Sequence, residues 1–86
     1  MAGYELRIKP SAVREIDRLP RREERRRIVA RIQALAKNPR PEGAARLSGS
    51  EQYRVRQGSY RIVYAVDDAE RVVVVVKVGH RRDVYR

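Results

Sequence analysis

The chain has 86 residues, 21 of them Lys or Arg against 11 Asp or Glu, for a formal net charge of +10. That length carries one domain, 1–86, with a thin core, and a balance this basic points to nucleic acid or an acidic partner. The absence of cysteine excludes disulfides, thiolate chemistry and Cys-based zinc sites. No leader-like segment is legible and no apolar run nears the ~18 residues of a membrane span, so the expectation is a soluble, cytoplasmic protein without membrane association. Only Lys9, Lys37 and Lys77 are lysines. The remaining basic residues are arginines, which bind phosphate in a bidentate fashion and never lose their charge.

The alternation of Tyr4, Leu6 and Ile8 with Glu5 and Arg7 predicts a first strand. Pro10 suits the first position of a helix and Ser11 can cap it. Val13, Ile16 and Leu19 mark its inner face, and Pro20 ends it. A longer helix follows over 21–37, with Ile28, Ile32, Leu35 and Ala36 at i, i+4, i+7, i+8 and Val29 widening the stripe. Its arginine-rich first turns read either as a solvated face, with Glu23 and Arg27 paired at i, i+4, or as a basic face for RNA backbone. Asn38-Pro39-Arg40-Pro41 stops the helix, and Ala45 to Gly49 forms a short edge strand or extended lead-in. Asp67 to Glu70 is a polar turn before a last strand over 71–78. Its unbroken run Val72–Val76 suits a central position covered on one or both faces. Strand, two helices, then antiparallel strands describe an α+β, β-α-α-β-β-β sandwich, with both helices on one face of a mainly antiparallel sheet.

The stretch Gln52 to Val66 carries the functional signal. Two alternating runs flank Gly58-Ser59, the pattern of a hairpin. Tyr53 and Val55 share a face with Tyr60, Ile62, Tyr64 and Val66, while Arg54 and Arg56 take the other face. A two-residue loop at Gly58-Ser59 sets Arg56 opposite Arg61, whereas a loop at Gln57-Gly58 sets Arg54 opposite Arg61. A three-residue loop would separate Arg61 from the other two. Like charges directly opposite destabilise a sheet, by roughly 1 kcal/mol at about 5 Å in water. Local rules are broken most often at functional sites, and an anion would turn this repulsion into binding.

Leu47-Ser48-Gly49, then Tyr53-Arg54-Val55-Arg56, Gly58-Ser59-Tyr60-Arg61-Ile62-Val63-Tyr64, and the closing Val78-Gly79-His80-Arg81-Arg82-Asp83-Val84-Tyr85 together resemble the RelE branch of the RelE/ParE toxin superfamily. The resemblance covers nearly the whole chain, including Pro10-Ser11-Ala12 to Leu19-Pro20. It implies the toxin of a type II toxin–antitoxin pair, an endoribonuclease that cuts mRNA in the ribosomal A site. Cutting would proceed without metal or cofactor, by attack of a ribose 2′-hydroxyl on the adjacent phosphate. It implies as partners the ribosome, its mRNA and an adjacently encoded, RelB-like antitoxin held in a hetero-oligomer. Carried over by position, the family's active site falls on Arg54, Arg56, Arg61, Arg81 and Tyr85. The best-known members have lysines where Arg54 and Arg56 stand, and they often continue into a C-terminal helix.

Arginines fit stabilisation of the extra charge on a pentacoordinate phosphorus. They do not fit proton abstraction, because they stay protonated. His80, the one histidine, is the sequence's candidate for proton transfer, since imidazole is the side chain best suited to that role, the alternative being a turn residue. Tyr85 could stack on a base or donate a proton. Arg46, Lys77 and Arg82 complete the candidate RNA contacts. Two rival readings are a ParE-like inhibitor of DNA gyrase that cuts no RNA and a non-catalytic basic module that binds nucleic acid.

Overall fold

The computed structural model describes residues 3–47, 51–80 and 82. Seven elements follow in order: β1 (Glu5–Ile8), α1 (Pro10–Asp17), α2 (Arg22–Lys37), β2 (Ala45–Arg46), β3 (Gln52–Gln57), β4 (Tyr60–Asp67) and β5 (Val72–His80). The strands form one sheet in the order β1-β5-β4-β3-β2. β1 runs parallel to β5, and the other three pairings are antiparallel. The α+β expectation is met, with both helices on one face.

The first helix starts differently from the expectation. Pro10 opens it, but the capping position is Lys9, which makes no side-chain cap. Ser11 lies inside the first turn, two residues past the capping position. α1 ends at Asp17, before Pro20. Its buried face is Ala12 and Ile16, continued by buried Leu19 just past the helix end, while Val13 is 41% exposed. The four-residue spacing keeps Ala12 and Ile16 on one stripe, and Val13 lies about 100° around the helix from Ala12. Val29 on α2 is likewise 39% exposed, beside the buried stripe Ile28, Ile32 and Leu35. The Glu23–Arg27 pair forms as expected, at 3.9 Å, and both side chains are largely solvated.

The helices cover Val55, Ile62, Tyr64, Val66, Val73, Val75 and Val78 of the sheet's inner face. Tyr53 and Tyr60 pack against this core, and Tyr64 is fully buried. The Tyr64 hydroxyl donates to the Pro39 carbonyl at 2.7 Å, and burial pushes its pKa up to about 12. The valine run is central, between β1 and β4. Val72, Val73 and Val75 are buried, while Val74 and Val76 are half-buried.

A register shift in the β4–β5 ladder leaves Val76 as an extra residue, between the pairs Tyr64↔Val75 and Val63↔Lys77. β1 ends at Ile8, and Lys9 makes the last backbone contact there, donating to Val75 at 3.0 Å. Past that point Glu15 of α1 stands in for a strand, its Oε1 accepting the Val78 N–H at 2.9 Å. A half-buried backbone donor thereby finds the partner that the missing strand would have given.

Candidate RNA-binding face

The hairpin takes the first of the two registers. Gln57 pairs with Tyr60, Arg56 with Arg61, Val55 with Ile62 and Arg54 with Val63. Gly58 supplies a φ of +61°, and Ser59 has no positive φ. Glycine at the first central position with φ > 0 there alone is the pattern of a type II′ turn, whose twist matches the strands. The loop chemistry at Gly58-Ser59 therefore fixes the arginine register.

Residues directly opposite on neighbouring strands share a face. Arg56, Arg61 and Gly79 form one row on the sheet's outer face, and Arg54, Val63 and Lys77 form the next. Arg56 is exposed, while Arg54, Arg61 and Lys77 are half-buried. Val63, only 6% exposed, lies between Arg54 and Lys77 and is not part of the helix-side core. No helix among the described residues covers this face. Three guanidiniums and one amine thus project from adjacent positions of three strands, an arrangement suited to phosphate oxygens.

Two sequence candidates fall elsewhere. His80 pairs with Tyr60, so it shares the inner face and is turned away from Arg61. Its ring meets the edge of Tyr60 at 5.8 Å and 82°, and its Nδ1 accepts the Arg82 backbone N–H at 3.3 Å. The Tyr60 hydroxyl in turn donates to Glu24 of α2 at 3.3 Å. The strand alternation that exposes Arg61 is what takes His80, the last residue of β5 and not a turn residue, out of the arginine face. Arg46 pairs with Tyr53 and also lies on the inner side, at the sheet edge. Arg82 is exposed in the turn after β5. The expectations for Arg81 and Tyr85 lie outside the described residues.

Other polar contacts escaped sequence reading. Arg40 donates to both oxygens of Asp68 at 3.0 and 2.8 Å, and to the Tyr53 hydroxyl at 2.9 Å. The Tyr4 hydroxyl donates to Asp68 Oδ1 at 2.7 Å. The Arg40 guanidinium, then the Tyr4 hydroxyl, hold the Asp68 carboxyl down to about 2, and the same pairing raises Arg40. This network ties the N-terminus, the loop after α2, β3 and the β4–β5 turn together. Its members are far apart in the chain, so no local pattern announces it.

Known proteins share both the fold and the sequence. The family described as "ParE toxin of type II toxin-antitoxin system, parDE" matches residues 6–85. Toxin RelG of Mycobacterium tuberculosis is 31% identical over 86 residues, covering 96% of this chain and 97% of RelG. A RelE–RelB complex from Pyrococcus horikoshii OT3 contains a chain that superposes with a TM-score of 0.82 at 27% identity, with 98% and 100% of the two chains covered. In the intact E. coli RelBE toxin–antitoxin complex the corresponding values are 0.76 and 30%, with 90% and 95% covered. The family match and these relatives make the chain a toxin of the type II toxin–antitoxin class. Within that class, the chain belongs to the RelE/ParE toxin superfamily.

Proposed function

We propose that this toxin is a ribosome-dependent endoribonuclease that cuts mRNA in the A site, working in the cytoplasm. The observation that supports the reading is the set Arg54, Arg56 and Arg61 on the uncovered face of the sheet, with Lys77 beside them. A fold selected for stability alone has no reason to set Arg56 opposite Arg61.

In the reaction, the ribose 2′-oxygen attacks the adjacent phosphorus. The P–O5′ bond breaks, leaving a 2′,3′-cyclic phosphate on one fragment and a departing 5′-oxygen that takes up the proton released from the 2′-hydroxyl to become the other fragment's 5′-hydroxyl. Arg54, Arg56 and Arg61 stabilise the charge that develops on the non-bridging oxygens, often the largest catalytic term. The 2′-hydroxyl proton must go to a group with a neutral form, which arginine lacks. Lys77 is the one described side chain among the four cations of this face with such a form. His80 faces Tyr60 instead and is assigned no direct proton transfer. Binding in the A site supplies alignment of the 2′-oxygen, phosphorus and leaving oxygen.

The relatives from P. horikoshii and E. coli form complexes with RelB. We extend this to an adjacently encoded, RelB-like antitoxin whose acidic residues contact the basic surface. Failure of the neighbouring gene's product to co-purify would count against that partner.

The test of cleavage is translation-dependent mRNA cutting mapped in cells after induction, for wild type, Arg56→Ala and Arg61→Ala. Loss of one charge-stabilising donor should lower cleavage by about 10²–10³-fold. Undiminished cutting in both variants rules out the phosphate clamp. The matched family is described by its ParE member, so a gyrase supercoiling assay forms the opposing arm. Inhibition of supercoiling without RNA cutting would replace the nuclease reading.

A further inference from the structure

The outer face of the sheet is electrically divided along its strands. At the hairpin end lie Arg54, Arg56, Arg61 and Lys77. At the opposite end Asp67 of β4, Val72 of β5 and Glu5 of β1 form a row on the same face. Beside them Glu70 completes the rim of an open depression of about 400 Å³, lined by Glu5, Arg7, Asp67, Glu70, Val72 and Val74. Arg7 is ion-paired to Glu5, and Asp67 Oδ1 accepts the Glu70 N–H at 3.0 Å. Three carboxylates against one cation leave the lining of this depression negative on a chain whose net charge is +10, since neighbouring Arg71 lays its guanidinium over the Tyr4 ring at 4.7 Å. Half-buried Ala65 and Val74 separate the two ends.

Arg61 and Asp67 stand six residues apart on one strand, which is about 20 Å. The Debye length at physiological salt is about 8 Å. The carboxylates therefore do not weaken the arginine rows at their own position, and they act only on a phosphate that comes close to them. Across the strands the basic rows span β3, β4 and β5, two inter-strand spacings or about 10 Å. A polyanion that crosses the strands finds a cation on each of β3, β4 and β5, whereas one that follows them runs into the carboxylates.

We propose that Glu5, Asp67 and Glu70 form an RNA-excluding margin that confines a bound single strand to the arginine end and makes it cross the strands. The inference rests on the RNA reading above and adds the direction and length of the bound segment. Repulsive elements of this kind set specificity without contributing affinity.

The experiment measures binding of 2′-O-methyl oligonucleotides, which cannot be cut, to the full chain. Lengths of about 4 and about 16 residues bracket the usual range of single-strand sites. The variants are Glu5→Gln/Asp67→Asn/Glu70→Gln, which keeps the Asp67 acceptor, and the single reversal Glu70→Lys. Wild type should bind both lengths with the same salt slope, because the same phosphates are engaged. The triple variant should bind the short oligonucleotide unchanged at physiological salt and the long one about tenfold or more tighter. Its slope should steepen by about 0.7 for each added phosphate. Glu70→Lys should shift binding in the same direction. Intact short-strand binding with no length effect in either variant overturns the margin and leaves the RNA reading standing. No binding of the short strand to wild type, or binding insensitive to Arg56→Ala, overturns the RNA reading and the margin with it.

Discussion

Replacing Arg56 by Gln should make the protein more stable and a poorer RNA binder at the same time. Arg56 lies opposite half-buried Arg61 in the hairpin ladder, where like charges cost about 0.2–1 kcal/mol. Arg56 itself is exposed, so solvent and salt screening place the effect near the middle of that range, about 0.5 kcal/mol. For a domain of this size, 1 kcal/mol moves Tm by about 4–8 °C, which gives a rise of about 2–4 °C. The rise should shrink as salt is added, because the repulsion is screened. Binding should move the other way, losing about 1.5–3 kcal/mol for a charged hydrogen bond and lowering the salt slope by about 0.7. Calorimetric or dichroism melts at low and high salt, paired with oligonucleotide titration, read both quantities from one preparation. A fall in Tm at low salt would show that Arg56 stabilises the hairpin and would refute the argument from like-charge pairing.

Gly58→Ala should cost about 1–2 kcal/mol, since φ of +61° places a Cβ in the left-handed region; no atom lies within 4 Å of that Cβ, so the loss is backbone strain and a denaturant midpoint will report it. Glu15→Leu should destabilise by about 1–3 kcal/mol, because the Val78 N–H loses its acceptor, while Glu15→Gln keeps an oxygen there and should cost less in the same melt. Asp68 has a carboxyl pKa held below its unfolded value of about 3.9, at about 2. Its contribution is therefore complete above about pH 4 and lost as pH falls toward 2, and Asp68→Asn should flatten that limb of an acid titration followed by dichroism. Tyr64→Phe leaves the buried Pro39 carbonyl without its 2.7 Å donor and should cost about 1–3 kcal/mol in chemical denaturation.

The sequence alone settled the types of the main elements, the helix-covered face of the sheet and the dependence of the arginine register on loop length. These follow from local periodicity: a repeat of 2 in the strands and of 3.6 in α2. It also settled that Tyr53, Tyr60 and Tyr64 face inward, because alternation fixes a strand's faces once one residue is placed. Tertiary structure decided what depends on neighbours from elsewhere in the chain. It chose Ala12 over Val13 for the core, because the stripe of an eight-residue helix is set by the sheet it meets. It set His80 against Tyr60 and Arg46 beside Tyr53, because a partner strand decides which face a terminal residue takes. It brought Glu15 to the bare edge of β5 and Arg40 to Asp68, contacts that span 63 and 28 residues. It also divided the outer face into a basic and an acidic end, since only strand pairing places Glu5 level with Asp67. Periodicity reports which way a side chain points, whereas pairing and packing decide what it finds there.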